Sequence, residues 1–364
     1  MTTLMKKVQF KGKSKDNFLA EVRRRVEESF SKTGQSGHAN LVLHLKGLLL
    51  FCSAAFFWSS LMAGWLPSIP RPFLWMVFGI NQGLLAMNVG HDALHGSYSS
   101  SQRINRWLGY FSYDLVGLSS LVWKFTHNQG HHIYTNIAGH DPDINKPGLL
   151  RLSPHDPLYS AHRFQHWYIW LLYSLVGLNW VLISDYLFVW EMRKKTSLKE
   201  LIFFFFFKAV NFSLVILFPL FFSQMTWQQV LIGYLCMQCA GGLTVSIIFQ
   251  LAHVVENVEF PLPDENGVLQ ENWGAHEMRT TSNFAAKSLL VTHLFGGLNF
   301  QIEHHLMPNI SHIHYFKLSP IVKKTAEEFG LPYHEQASFF AAIISHTRLL
   351  KKFGTPLFLV FIFF

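Results

Sequence analysis

The sequence has few charged residues and few cysteines for a chain of its length. Charged residues occupy 14% of the 364 positions, well below the roughly 25% that is usual in soluble globular domains. The three cysteines, Cys52, Cys236 and Cys239, all lie in apolar runs, so they predict side-chain packing and not a disulfide framework. Half of the residues are hydrophobic, and phenylalanine alone occurs 35 times. This composition predicts an integral membrane protein.

A signal peptide is not recognisable at the N-terminus. Residues 1–46 are polar and rich in lysine and arginine, without an apolar core that precedes a cleavage site, so we expect this arm to stay in the cytosol. The net charge of +8 is spread around the apolar segments. That distribution argues against a nucleic-acid partner, and is typical of basic residues that face anionic membrane lipids on the cytosolic side.

Four apolar stretches are close to the roughly 20 residues that a membrane-spanning helix needs. They cover residues 48–66, 73–90, 201–222 and 227–249. The two short linkers within these pairs carry a single charge, Arg71, so the orientation rule puts both termini and the central region in the cytosol. We therefore predict an all-α integral membrane fold, in which two transmembrane hairpins hang from a cytosolic helical cap.

The whole chain divides into three parts. These are an arm of residues 1–46, a membrane domain of residues 47–350 that contains the four spans, and an apolar tail of residues 351–364 whose role is unassigned. Residues 104–123 are interrupted by charges, and residues 168–190 are rich in Trp and Tyr. We predict that both are helices lying at the membrane interface. Lys208 interrupts the third span, where it either reaches the headgroups or pairs within the bundle.

Histidine is the polar residue in excess, with 20 copies, although it suits lipid-facing positions poorly. Residues four apart share one face of a helix, so each HxxxH pair can reach one metal. Imidazole suits iron, zinc and copper. Eight of the histidines are clustered, which is more than a single metal ion can bind. The clustered histidines are His91 and His95; His127, His131 and His132; His304 and His305; and His253 just past the fourth span.

Two other interpretations of these clusters stay open at this point. Each pair taken alone can be a surface pair at the headgroup level. A metal or proton transporter would also use histidines, but transport needs ionisable groups near the bilayer midplane. The predicted spans are nearly free of such groups apart from Lys208, which favours a metal site at the membrane edge.

The chain resembles the membrane fatty acid desaturases. The resemblance rests on HxxxH, HxxxHH and QxxHH boxes that begin at His91, His127 and Gln301, in this order around two hairpins. A glutamine at the head of the third box resembles the front-end subgroup, which places a double bond between an existing one and the carboxyl end. Segments 88–92, 113–120, 134–137 and 307–315 are similar to bacterial and cyanobacterial delta-6 acyl-lipid desaturases. The likeness covers most of residues 40–350.

The resemblance implies a site, a reaction and partners. Two iron ions would be held by the seven box histidines together with His253, and O2 would be the co-substrate for desaturating an acyl chain carried on a lipid or on CoA. Gln301 stands where related enzymes have a histidine, and its contact with iron stays open. Asp92, Asp141 and Glu303 lie beside ligands, where a carboxylate can orient an imidazole or merely cap a helix. His140, His312 and His314 are interpreted as structural or as neighbours of ligands.

The implied electron donor is a separate protein. The sequence contains no HPGG haem motif, so we expect ferredoxin or free cytochrome b5, with Arg193, Lys194 and Lys195 as a basic docking surface. We expect a multi-pass protein of the bacterial inner membrane. Delta-6 regiospecificity is favoured over delta-5 or delta-8 by resemblance alone. Hydroxylases, ketolases and sphingolipid desaturases carry similar boxes and remain alternatives.

Overall fold

The computed structural model describes residues 7–12, 17–146 and 148–356, so the tail predicted from residue 351 lies largely outside the described residues. The helices are α1 Phe18–Thr33, α2 Leu41–Ala63, α3 Arg71–His95, α4 102–114, α5 120–134, α6 Ser160–Met192, α7 Leu198–Phe222, α8 Trp227–His253, α9 Trp273–Thr280, α10 Leu289–Leu294, α11 Gln301–Leu306, α12 Tyr315–Glu328 and α13 Phe339–Phe353. The strands are β1 Gln9–Phe10, β2 Val268–Leu269, β3 Ser282–Phe284 and β4 His334–Gln336. They form two parallel pairs, β1 with β2 and β3 with β4.

Five of the described helices, α2, α3, α6, α7 and α8, are long and apolar enough to cross a membrane. Helices α3, α7 and α8 contain three of the predicted spans in full, and α2 covers the first predicted span except residues 64–66. The fifth, α6, contains the stretch 168–190 that we assigned to the interface. The helices extend beyond the apolar runs: α2 already begins at Leu41, while α3 and α8 continue to His95 and His253. Because His91 and His253 are buried by the protein, these last turns need no lipid contact.

Short sequence signals set the ends of the spanning helices. Asn40 accepts a hydrogen bond from the Leu43 amide at the start of α2, and Thr226 forms a capping box with Gln229 at the start of α8. Gly64 ends α2 with a φ of 68°. Since only residues 223–226 separate α7 from α8, these two helices form an antiparallel hairpin.

Helices α3 and α8 form the buried centre of the bundle. In α3, 67% of the apolar window is buried, whereas in α2 the share is 11%. A Cβ on Gly79 would lie 2.0 Å from the Met237 carbonyl oxygen, so the two backbones touch here and a larger residue would separate them. Small residues permit the same close approach in other membrane bundles. Both helices run toward the same end, at His91 and His253.

Residues 104–123 form two helices instead of one. The turn 115–119 separates α4 from α5, and Gly117 adopts a φ of 97° there, a backbone conformation that favours glycine. Lys208 of α7 donates hydrogen bonds to the Gly117 carbonyl oxygen and to Asp185 Oδ2 of α6, both at 2.7 Å. The lysine therefore pairs within the bundle, which was one of its two predicted fates.

The segment after α8 packs with α1 into a cap over one end of the bundle. Its core brings Phe18 of α1 together with Met278 of α9 and Ile302 of α11. Arg25 Nη1 lies 3.0 Å from Glu328 Oε1 and so joins α1 to α12. This cap fixes α11, which carries the third histidine box, over the ends of α3 and α8.

Candidate metal centre

The eight predicted histidines come together where α3, α5, α8 and α11 meet. In one group the ring nitrogens lie within 4.8 Å of one another, and its members are His91, His95, His127 and His304. A second such group consists of His131, His253 and His305. His132 lies between the groups, with its ring centroid 4.6 Å from that of His304 and 4.3 Å from that of His305. A third group, His127, His131 and Asp143, overlaps the first two.

A π-helical segment in α5 brings the second box together. Residues 124–131 are π-helical, and i→i+5 hydrogen bonding places residues five apart on one face. The Nε2 atoms of His127 and His132 are therefore 3.0 Å apart. On an α-helix these two residues would be roughly 140° apart around the axis. A second π-helical segment, Ala86–Gly90, directly precedes His91, and such segments are frequent at functional sites.

The ring nitrogens that face the middle of the cluster fit metal ions. The Nε2 atoms of His91, His95, His304 and His305 are buried and have no hydrogen-bond partner among the described residues. Two further Nε2 atoms, of His131 and His253, face each other at 3.3 Å. Buried polar atoms rarely stay unpaired, and a neutral imidazole binds a metal through a free nitrogen lone pair. This donor set therefore fits metal ions, including iron.

Burial keeps most of these imidazoles neutral. It lowers the pKa values of His127, His132, His304 and His305 well below the usual value, and repulsion between the rings lowers them further. Burial acts in the same direction on His131, but the Asp141 and Asp143 carboxylates outweigh it and raise the pKa of His131 to about 9.

Two of the predicted neighbouring carboxylates contact histidine rings. Asp141 Oδ1 lies 3.0 Å from His131 Nδ1, while Asp141 Oδ2 accepts a hydrogen bond from the Asn136 amide at 2.8 Å. Asp92 is 4.0 Å from His91 Nδ1 and 3.0 Å from His312 Nδ1. His312 thus contacts a carboxylate and not the middle of the cluster, in agreement with its interpretation as a neighbour of ligands.

Glu277 is a buried contact of the cluster that the sequence analysis missed. Its Oε2 atom lies 2.8 Å from His305 Nδ1 and 3.0 Å from Thr135 Oγ1. Glu277 follows no box histidine, and no spacing rule relates it to a residue 28 positions away. Its only signal in the sequence is an acidic residue within an otherwise mostly uncharged short helix.

Glu303 and Gln301 have different surroundings, although both belong to the third box. Glu303 accepts hydrogen bonds from Asn283 Nδ2 and from the Tyr333 hydroxyl, both at 2.8 Å, so its carboxylate is directed toward β3 and away from the rings. The Gln301 side chain lies close to the His253 ring, and its buried Nε2 has no hydrogen-bond partner among the described residues. Gln301 therefore belongs to the edge of the second histidine group.

An apolar path leads from the cluster into the bundle. Trp123 stacks on His127 with ring centroids 4.1 Å apart, and Phe249 lies 5.7 Å from the same ring. Trp123 and Leu118 pack against the same apolar cluster, and Leu118 lines a partly open crevice between α3, α6 and α8. The crevice walls are mainly small or apolar, and include Gly79, Gly83, Gly177, Gly242 and Val245.

Comparison with known proteins gives one consistent family. The fatty acid desaturase family model matches residues 63–337. The chain is 37% identical to an sn-1 linoleoyl-lipid 6-desaturase of Synechocystis sp. over 93% of this chain and 96% of the relative. It is 33% identical to the protein of the same name from Arthrospira platensis over 97% and 96% of the two chains. It is also 34% identical to an acyl-lipid (8-3)-desaturase of Physcomitrium patens, over 93% of this chain and 72% of that protein.

Proposed function

This chain belongs to the fatty acid desaturase family and is an oxidoreductase of fatty-acyl lipids, and we propose that it is a front-end acyl-lipid desaturase with two iron ions. The observation that carries the proposal is the convergence of eight imidazoles from four helices, with Nε2 atoms that are buried and directed at one another. Both relatives named as 6-desaturases act on linoleoyl lipids by name. We therefore propose delta-6 desaturation of a linoleoyl-type chain.

The two histidine groups support two metal positions. His91, His95, His127 and His304 would hold one iron; His131, His253 and His305 would hold the other, with His132 between them. When bound, iron supplies the oxidising chemistry by which O2 removes hydrogen from an unactivated methylene. Gln301 would act on iron through its neighbour His253, since its side chain lies beside that ring.

The protein's own residues orient ligands and exclude water. Asp141 and Glu277 contact the Nδ1 atoms of His131 and His305, which leaves the opposite nitrogen of each ring for a metal. Trp123 and Phe249 cover the rings on the side of the bundle and would keep water away from the reacting methylene. The apolar crevice would receive the methyl end of the acyl chain and so align one carbon pair with the cluster.

The topology that best fits this site has four spans. His91 lies in the last turn of α3 and His253 ends α8, and both belong to one cluster, so they lie on one side of the membrane. The chain between them must then cross an even number of times. Helices α7 and α8 provide two crossings, so α6 would lie along the membrane instead of spanning it. The orientation rule then puts the cluster and both termini in the cytosol.

An external carrier would supply the electrons. The basic segment with Arg193, Lys194 and Lys195 follows α6 and, in the four-span topology, faces the cytosol. An acidic ferredoxin or cytochrome b5 would be attracted to it. Reversing these three charges should slow reduction at low salt, and an unchanged rate would argue against this docking surface.

Expression in a host that is fed linoleic acid tests the proposal. The wild-type chain should add one double bond between the carboxyl group and the existing double bonds, which mass spectrometry of the products locates. A His131→Ala variant is the control and should make no new product. If the product is an alcohol and not an alkene, or is built on a sphingoid base, the result would support the alternative that the chain is a related oxygenase.

A further inference from the structure

A polar pocket lies on the outer side of the first histidine box. It is a partly open depression bounded by α3, α4 and the start of α5. Its wall contains Leu94, Gln102, Arg106, Tyr110, Ser120 and Lys124. We call it the headgroup pocket. Leu94 directly precedes His95, so the pocket and the imidazoles are separated by little more than the thickness of one helix.

Two cations at this pocket are available to a ligand. Arg106 and Lys124 are both exposed, and neither has a carboxylate within 4 Å among the described residues. Asn105, in contrast, is occupied by hydrogen bonds with Ser99. Two acids lie nearby: Asp114 accepts from the Ser120 amide at 3.2 Å and burial raises its pKa to about 7, while Glu200 of α7 lies within electrostatic range of Lys124. The pocket therefore favours an anion.

Helix α4 holds these cations at the level of lipid headgroups. Trp107 and Phe111 on its outer surface are exposed by 48% and 44%, and Tyr110 stacks on Phe203 of the spanning helix α7. Exposed aromatic residues next to arginine are typical of a helix at the membrane interface. A headgroup of a bilayer lipid can thus reach the pocket without leaving the membrane surface.

One apolar cluster lies between the headgroup pocket and the crevice. Leu94, which lines the headgroup pocket, forms this cluster with Ala86 and Tyr113, and both Leu118, which lines the crevice, and Trp123 pack against it. Trp123 in turn contacts His95 with ring centroids 5.0 Å apart. A lipid whose polar end sits in the pocket would therefore begin its acyl chain beside the first histidine box.

We propose that the headgroup pocket binds the phosphate of an anionic glycerolipid, through Arg106 and Lys124, and thereby sets how far along the acyl chain the irons act. The inference rests on the proposed function above. A front-end double bond lies close to the carboxyl end, so the polar end of the substrate must bind close to the metal. A cationic pocket beside His95 meets that requirement, and guanidinium and ammonium groups are the side chains that bind phosphate most strongly.

The test compares three substrates with the same linoleoyl chain in nanodiscs of neutral lipid: a phosphatidylglycerol, a monogalactosyl diacylglycerol and linoleoyl-CoA. The variant Arg106→Gln/Lys124→Gln removes both cations. Arg103→Gln is the matched control, because Arg103 is exposed on the same helix but does not line the pocket. For the double variant we expect KM for the phosphatidylglycerol to rise by about tenfold or more. The iron content, kcat and the reaction with the galactolipid should stay unchanged.

Four results would overturn the inference. They are unchanged kinetics of the double variant, an equal loss on the galactolipid, an equal effect of Arg103→Gln, and an effect confined to linoleoyl-CoA, which would assign the cations to the phosphates of CoA. Failure of the proposed function looks different, because the wild-type chain would then produce no alkene from any of the three substrates.

Discussion

Glu277 and Glu303 are both fully buried carboxylates near the third histidine box, yet they contact different partners. Glu277 reaches the His305 ring, whereas Glu303 is bonded to Asn283 and Tyr333. We predict that Glu277→Gln lowers iron affinity and activity by about 10- to 100-fold, because losing a carboxylate that orients a ligand typically costs this much. Iron per chain and desaturation rate in isolated membranes measure both effects.

Glu303→Gln is the matched control for that prediction. The glutamine carbonyl oxygen can still accept from Asn283 Nδ2 and its amide group can donate to the Tyr333 hydroxyl, so iron content should stay close to that of the wild type. Equal iron loss in both variants would mean that the effect is structural. The opposite ranking would contradict the role assigned to Glu277.

Which residues form the site could largely be predicted from the sequence, whereas the contacts between these residues could not. The spacing of His91 and His95 is enough to indicate a shared helical face. The meeting of His127 with His132 depends on a π-helical segment, which a regular helix pattern does not anticipate. Glu277 approaches His305 only through the packing of α9 on α11, so no local pattern marks it.

At the scale of secondary structure elements, the Lys208–Asp185 ion pair joins α6 and α7 to the turn 115–119. We predict that Lys208→Met alone strongly lowers the apparent melting temperature, because breaking a buried pair leaves an uncompensated charge at a cost of about 3–5 kcal/mol. The double variant Lys208→Met/Asp185→Leu should recover most of the loss, since a matched apolar pair is often neutral or stabilising. Thermal unfolding in nanodiscs measures both.

A double variant as unstable as the single one would contradict this account of the pair. Activity adds a second readout, because the turn carries Leu118, which lines the crevice. The double variant loses the hydrogen bond to the Gly117 carbonyl, so it should be stable and yet convert acyl chains of different length less selectively than the wild type.

The existence of the spanning helices could be predicted from the sequence more accurately than the residues at which they begin and end. Apolar runs identify α2, α3, α7 and α8, because lipid requires about 20 apolar residues. The ends at His95 and His253 extend past these runs since the cap buries them. Helix α6 satisfies the length and composition of a span, and only the position of the two histidine groups argues that it does not cross.

At the scale of the whole molecule, labelling of single cysteines distinguishes four spans from five. In a background without Cys52, Cys236 and Cys239, we predict that Lys194→Cys is protected from an impermeant maleimide in intact cells and is labelled in inverted vesicles. Gln224→Cys, in the α7–α8 turn, should show the opposite pattern. Ser68→Cys is the control for the outer face. Labelling of Lys194→Cys from outside would mean that α6 crosses the membrane.

The whole account depends on imidazoles from four helices that hold two iron ions. The most direct measurement is the iron content of the purified chain by mass spectrometry, together with its Mössbauer spectrum and desaturase activity. We predict about two irons per active chain in nitrogen-rich coordination, with a loss of both iron and activity in His131→Ala and His304→Ala. Full activity in the iron-free protein, or in variants that lack these imidazoles, would contradict the account.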